Sequence, residues 1–320
     1  MSIFKEIAEY YLFSSLQRFK KNVFSQRSHK KVVLKQNDKK RTIFVPNRAV
    51  KCAQKYFLVH YLEPIHCSSN CYSYLKGKSI VDMAETHLSN KYFLHLDIKH
   101  YFDNMDFELF KYFINTYFHD SKLCKLFDDK ITESEVRAIL TFRGKFRQGS
   151  VTSPYVSNLY LYEFDKYLNK YVKNNISKGI YTRYSDDIVI SSDAKIDKGV
   201  VLVVKEQLKK YKLCLNYKKI KFSNVLSCVK VTGLSVTCDC RITINTKMKK
   251  KIKGMVYELL EKNSEINFNV LYGYLYYLIM CDPDYFNILQ SKYQKNNVLM
   301  MDRIKMKAIS VNSKSAAKNE

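Results

Sequence analysis

The sequence predicts an α+β fold with a βαββαβ-like sheet at its centre, set between a basic front and a helical back. Three observations predict it. Residues 92–98, Tyr-Phe-Leu-His-Leu-Asp-Ile, form an apolar run of strand length. Residues 180–184 and 187–191 are two further strand-like runs with almost nothing between them, so they read as a tight hairpin. Later in the chain the pattern changes to a helical period, with Met248, Ile252, Met255/Val256 and Leu259/Leu260 on one face.

From the N-terminus, Ile3, Ile7, Tyr10/Tyr11 and Ser14/Ser15 share one face, so 1–20 is predicted as a short amphipathic helix. Val32-Val33-Leu34 and Thr42-Ile43-Phe44-Val45 bracket Gln36-Asn37-Asp38-Lys39-Lys40, which reads as a hairpin with a cationic tip ended by Pro46. Residues 49–62 are helical by period and stop before Pro64. Residues 75–79 form a basic loop and 80–88 a second helix. Beyond the strand at 92–98 come a helix at 107–118, a loop at 144–149 and one long helix at 154–173, with Pro154 tolerated near its start. Residues 200–211 are helical, 229–236 contain a strand, and helix around 271–280 ends at Asp282-Pro283. The tail, 310–320, is polar and expected to fray.

Composition narrows the partners. With 55 Lys plus Arg against 30 Asp plus Glu, the formal charge of +25 calls for a polyanion, nucleic acid before membrane. No apolar run approaches the ~18 residues of a membrane span, and residues 1–11 lack a signal layout. A cytoplasmic protein without a membrane partner is expected. Nine cysteines are scattered without a Cys-x-x-Cys, which favours reduced thiols over zinc.

The chemistry centres on Tyr184-Ser185-Asp186-Asp187. Taken alone, paired aspartates are common in solvated turns. Here apolar flanks draw them against the core, where adjacent anions need a proton or a cation. Asp97 ends a second apolar strand. If the two elements share a sheet, three carboxylates converge, a set able to hold two metal ions about 3.5–4 Å apart for nucleotidyl displacement.

These segments resemble the motifs of reverse transcriptases. Leu96-Asp97-Ile98-Lys99-x-Tyr101-Phe102-Asp103-Asn104 is similar to motif A, and Arg147-Gln148-Gly149-Ser150-Val151-Thr152-Ser153-Pro154-x-x-Ser157-Asn158-Leu159 to motif B. Tyr181-x-Arg183-Tyr184-Ser185-Asp186-Asp187 resembles motif C, and Leu215-Asn216-x-x-Lys219 motif D. Order and spacing fit over roughly residues 30–290. The retron branch is the nearest match, on Val231-Thr232-Gly233 and on Met83-Ala84-Glu85-Thr86-His87. Met83 stands where that branch has Asn, Arg147 where the family usually has Pro, and Ser185 where it usually has Ala.

The resemblance implies a right-hand polymerase of fingers, palm and helical thumb. Its parts would be an N-terminal helical extension (1–29), fingers and palm (30–240), and a helical thumb with an RNA-binding C-terminal region (241–320). It implies an RNA-directed DNA polymerase using two Mg²⁺ ions, with Mn²⁺ as the alternative. Asp97, Asp186 and Asp187 would be catalytic and, with the Ile98 carbonyl, metal ligands. Arg41, Phe102, Gln148, Gly149 and Lys219 would bind the dNTP: Arg41 clamps the triphosphate beside Lys39 and Lys40, Phe102 excludes a ribose 2′-OH, and Lys219 protonates pyrophosphate. Val231, Thr232, Gly233, Lys249, Lys250 and Lys251 would bind RNA. The expected partners are dNTPs, a cognate structured non-coding RNA, its branched DNA product (msDNA) and a defence effector protein, in phage defence. The alternatives are a defence reverse transcriptase with other priming and a catalytically dead RNA-binding scaffold. Bulky Phe102 disfavours an RNA-dependent RNA polymerase.

Overall fold

The computed structural model describes residues 2–316 apart from 37, 38, 228, 263 and 265. They divide into two compact units, one of residues 1–79 with 92–222 and one of 80–91 with 223–320.

In the first unit, strands β1 (His29–Gln36) and β2 (Lys39–Pro46) form the expected antiparallel hairpin, with Val33 opposite Thr42. Its Asn37-Asp38 tip and the side chain of Lys39 lie outside the described residues. A mixed helix-and-sheet region follows. Its strands β3 (Tyr92–Asp97), β4 (Ile180–Tyr184), β5 (Asp187–Ser192) and β6 (Lys221–Asn224) stand in the order β4-β5-β3-β6. With the intervening helices this is the βαββαβ succession. Leu94, Leu96, Ile188 and Ile190 are buried in the core beneath the sheet, which is why these runs read as nearly continuous apolar stretches.

Three expectations are corrected. The helix over 1–20 is two helices, Ile3–Tyr10 and Leu16–Phe24. Leu12 turns into the left-handed region (φ 53°), and Ser15 caps the second helix by accepting the Arg18 N–H. Both helices pack on the helix Arg48–Phe57. The helix over 154–173 is likewise two, Ser153–Tyr160 and Tyr162–Asn175, bent at Leu161 so that each buries its own apolar residues. In the second unit the last helix, Met300–Ala316, runs on into the tail expected to fray; Met300 and Ile304, at 0% exposure, anchor its first turns, and residues 317–320 lie outside the described set. The helix Lys130–Leu140 lies in a stretch where the sequence pattern indicated no element.

The second unit has a small sheet, β7 (Val229–Val231), β8 (Leu234–Val236) and β9 (Ile242–Thr243), against which the helix Ile80–Glu85 packs. Four further helices follow: Thr246–Leu260, Phe268–Cys281, Pro283–Tyr293 and Met300–Ala316. Among the described residues no helix is long and apolar enough to cross a membrane.

Candidate active site

Antiparallel pairing sets the site. Asp97 at the end of β3 lies directly opposite Asp187 at the start of β5. Tyr184 pairs with Asp187 across the hairpin, leaving Ser185 and Asp186 as a two-residue turn. The three carboxylates predicted from distant segments therefore meet at one end of one sheet. The turn is tied to β3 through its backbone, since the Ile98 N–H donates to the Asp186 carbonyl at 2.9 Å. Ser185 has a φ of 56°, a conformation side chains seldom adopt, and its surroundings hold it there. Its N–H donates to Ser73 Oγ (2.9 Å), its carbonyl accepts from Arg183 Nη1 (3.0 Å), and its hydroxyl accepts from Tyr74 Oη (3.3 Å).

The carboxylates crowd one another electrostatically. Burial, then the charges of Asp186 and Asp97, push Asp187 up to about 6. Burial and the Asp97 charge also raise Asp186, against the pull of Lys219. Asp97 is 5% exposed and is held by two motif D residues: Asn216 Nδ2 donates to Oδ1 at 3.1 Å, and Lys219 forms an ion pair with Oδ2. Burial would lower the Lys219 ammonium, but the Asp97 hydrogen bond and charge outweigh it and raise it. Among the described residues no three metal-binding side chains already surround one point; the Lys219 ammonium takes the neutralising place beside Asp97. The donor set still suits a divalent cation. It is all carboxylate oxygen, and two of its members are short of positive charge.

A cavity of about 530 Å³ opens over this end of the sheet. Its walls bring together Asp97, Asp186, Asp187, Arg41, Phe102, Gln148, Gly149 and Lys219. Ile98 does not line it; its side chain is buried at 1% exposure. Gly149 is there for its lack of a side chain: at φ 99°, a Cβ would meet the Phe44 carbonyl oxygen at 2.8 Å. The same close approach lets the Phe44 N–H donate to the Gln148 carbonyl, stitching β2 to the motif B loop. Arg147, the departure from the family Pro, strengthens that junction. It pairs with Asp103 at 3.0 Å and lies over the Phe44 ring at 4.8 Å.

Sequence reasoning missed Tyr74, Ser150 and Ser153 as cavity residues and gave Arg147 and Ser185 no role there. Tyr74 sits on a segment zipped along β4, where the Tyr72 N–H donates to the Arg183 carbonyl at 2.9 Å. No local pattern marks it.

The expected RNA-binding residues are in the second unit. Val231 is buried in β7, while Thr232 (φ 49°) and Gly233 (φ 91°) make the β7–β8 turn. Thr232 Oγ1 is buried and has no hydrogen-bond partner among the described residues. Lys249 is engaged internally, at 2.8 Å from Asp282 and over the Tyr285 ring at 4.4 Å. Lys251 donates to Tyr274 Oη at 2.6 Å. Lys250 is exposed, without an ion pair among the described residues.

Residues 29–265 match the family described as Reverse transcriptase (RNA-dependent DNA polymerase). The retron Ec73 reverse transcriptase of Escherichia coli is 29% identical over 265 residues, 79% of this chain and 83% of the relative. The retron Ec83 enzyme of the same organism is 26% identical over 81% of this chain and 84% of its own length. Among solved structures, telomerase from Candida albicans in complex with a TWJ fragment of telomeric RNA superposes with a TM-score of 0.52. That match, at 14% identity, covers 90% of this chain and spans 57% of the telomerase chain, and it speaks to fold alone.

Proposed function

The chain belongs to the reverse transcriptase family and is of the retron type, and from that premise we propose that Asp97, Asp186 and Asp187 hold two Mg²⁺ ions, replaceable by Mn²⁺, for nucleotidyl transfer. Its class is RNA-directed DNA polymerase, with an RNA template and dNTPs as partners, and its family uses divalent metals. The observation that supports the site most is the direct opposition of Asp97 and Asp187, with Asp186 on the adjoining turn. Bound there, divalent ions make the attacking hydroxyl more acidic and stabilise the leaving pyrophosphate.

The chain's own residues divide the remaining work. Arg41, exposed on β2 and lining the cavity, grips the triphosphate with its planar fork. Gln148 and Gly149 form the wall on which the nucleotide lies, and Phe102 blocks a 2′-OH. Lys219, paired with Asp97 and lining the cavity, is placed to donate a proton to pyrophosphate. Asp186→Asn tests the site. The variant is expected to fold and to lose metal-dependent DNA synthesis, and primer extension near the parent rate would sink the assignment.

We further propose that residues 30–240 act as fingers and palm and 241–320 as thumb, and that the cognate template is a structured non-coding RNA. Priming from a 2′-OH in that RNA gives a branched msDNA, with phage defence and an effector protein as the setting. What supports recognition at Val231–Gly233 is their place on the β7–β8 turn, where Gly233 is exposed and has no side chain to keep an RNA surface from the backbone. Treating the product with a debranching enzyme tests this. A shift in mobility is expected; a product that already runs as linear DNA would replace the reading with a non-retron defence polymerase.

A further inference from the structure

Beneath the Ser185-Asp186 turn lies a wholly buried ion pair whose burial stability alone does not explain. Arg183 and Asp165 are both at 0% exposure. Arg183 grips Asp165 at two points, Nε to Oδ1 and Nη2 to Oδ2, each 2.7 Å. Tyr181, on the same face of β4, donates its hydroxyl to Oδ1 at 2.6 Å. The remaining terminal nitrogen of Arg183, Nη1, donates to the Ser185 carbonyl at 3.0 Å. Burying such a pair is costly, and apolar residues of similar volume often do as well or better. What apolar packing lacks is a directed donor to a carbonyl. The only backbone group this guanidinium is seen to meet, among the described residues, belongs to Ser185, held at φ 56°.

We infer that Arg183, oriented by Asp165 and Tyr181, is a positioning residue that fixes the Ser185-Asp186 turn and so aims the Asp186 carboxylate. The chain of contacts is short. Asp165 and Tyr181 set the plane of the guanidinium. The guanidinium sets the Ser185 carbonyl, and that carbonyl belongs to the peptide group leading into Asp186. On the other side the Asp186 carbonyl accepts the Ile98 N–H, so the aspartate is held from both ends. A catalytic group displaced by about 1 Å can lose ~10²-fold in rate. This inference rests on the reading of Asp186 as a metal ligand.

The triple variant Asp165→Leu/Tyr181→Phe/Arg183→Met removes the ion pair and the tyrosine hydroxyl together, so that the one group left without its donor is the Ser185 carbonyl whose hold is in question. It is expected to fold and to melt somewhat below the parent, by no more than the loss of that one hydrogen bond. Its kcat for dNTP addition on a supplied RNA template and primer should fall about tenfold or more while KM for dNTP changes less than ~2-fold. Mn²⁺ binding, followed by loss of the free-ion EPR signal, should weaken several-fold in the same protein. Parent-like kcat and Mn²⁺ binding in the folded variant overturn the inference. Arg183→Lys guards against misfolding, because one ammonium cannot serve both Asp165 oxygens and the Ser185 carbonyl. It should show both losses in smaller measure, and parent-like values there overturn the inference equally. Asp186→Asn is run alongside. If it keeps synthesising DNA, the site reading falls and takes this inference with it. If it is dead while the Arg183 variants are parent-like, only this inference falls.

Discussion

Asp165 in the first unit and Asp282 in the second are both buried carboxylates paired with a cation, yet their surroundings give them different work. Asp165, at 0% exposure, holds a wholly buried arginine whose spare nitrogen reaches the turn carrying Asp186. Asp282, at 4%, accepts from the Tyr285 N–H at the start of the helix Pro283–Tyr293 and from the Thr243 hydroxyl at the end of β9, and pairs with Lys249. The first carboxylate orients a donor aimed at the turn proposed to carry a metal ligand. The second fastens a strand and two helices together, using a lysine drawn from a run that looked like a phosphate-binding surface. A row of like charges is therefore not one functional unit; what each member touches decides its part.

The largest effect is expected where Lys249 is set against its neighbour. Lys249→Ala leaves Asp282 buried with the N–H groups of Ile244 and Tyr285 and the Thr243 hydroxyl but without its paired cation. The lysine is 25% exposed, so the loss should be below that of a fully buried pair, about 1–3 kcal/mol. Lys250→Ala should cost less than ~0.5 kcal/mol, while lowering the salt slope of RNA binding by about one. Denaturant unfolding and a salt titration of RNA affinity read the two effects. If Lys249→Ala unfolds like the parent and changes the salt slope as Lys250→Ala does, Asp282 is no fastener.

A smaller effect is expected at Phe102. Its ring lies 5.5 Å from that of buried Tyr101 and packs on the core of the first unit, and it also lines the cavity. Packing and steric exclusion make separate demands, and a substitution can divide them. Phe102→Val should reduce discrimination against ribonucleotides by about tenfold, with only a modest loss of stability. Unchanged discrimination in an active variant would make Phe102 a core residue that merely borders the cavity.

Much of this was legible in the sequence because it is written locally. The apolar runs at 92–98 and 180–191 carry their strand character in their own residues, and Asp97, Asp186 and Asp187 stand at the ends of those runs, so their meeting followed once the strands paired. The glycine at 149 was legible as part of the nucleotide site, though not that its backbone lies against Phe44. What was not legible depends on partners far along the chain. Tyr74 reaches Ser185 across 111 positions, and Arg183 finds Asp165 on a helix 18 residues earlier. Periodicity carries no information at those separations. The break at Leu161 was hidden because the apolar pattern continues through it, and Lys249 was hidden because nothing local distinguishes it from Lys250.

A further effect, present only in acid, comes from the junction between the β1–β2 hairpin and the motif B loop. His29 stacks on Phe142 with ring centroids 4.3 Å apart, and Nδ1 lies 3.0 Å from Ser28 Oγ. Burial, helped by the positive charge of Arg147, lowers its pKa from 6.5 to about 4. The sign follows from linkage. As pH falls from 6.5 towards 4, the unfolded chain takes up a proton at this position that the folded chain refuses, so the unfolded state gains and stability declines. Above pH 6.5 both states hold the neutral ring and the term vanishes. Carboxylates also protonate on the acid side, so the parent's slope alone would not identify His29. His29→Gln keeps a polar group next to Ser28 but cannot titrate. Its Tm should start slightly below the parent's at neutral pH, through lost stacking on Phe142, and then fall less steeply between pH 6.5 and 4. Parallel Tm profiles for the two proteins across that window would mean that His29 is protonated as readily in the fold as out of it. The hairpin would then close on the motif B loop without excluding the charge.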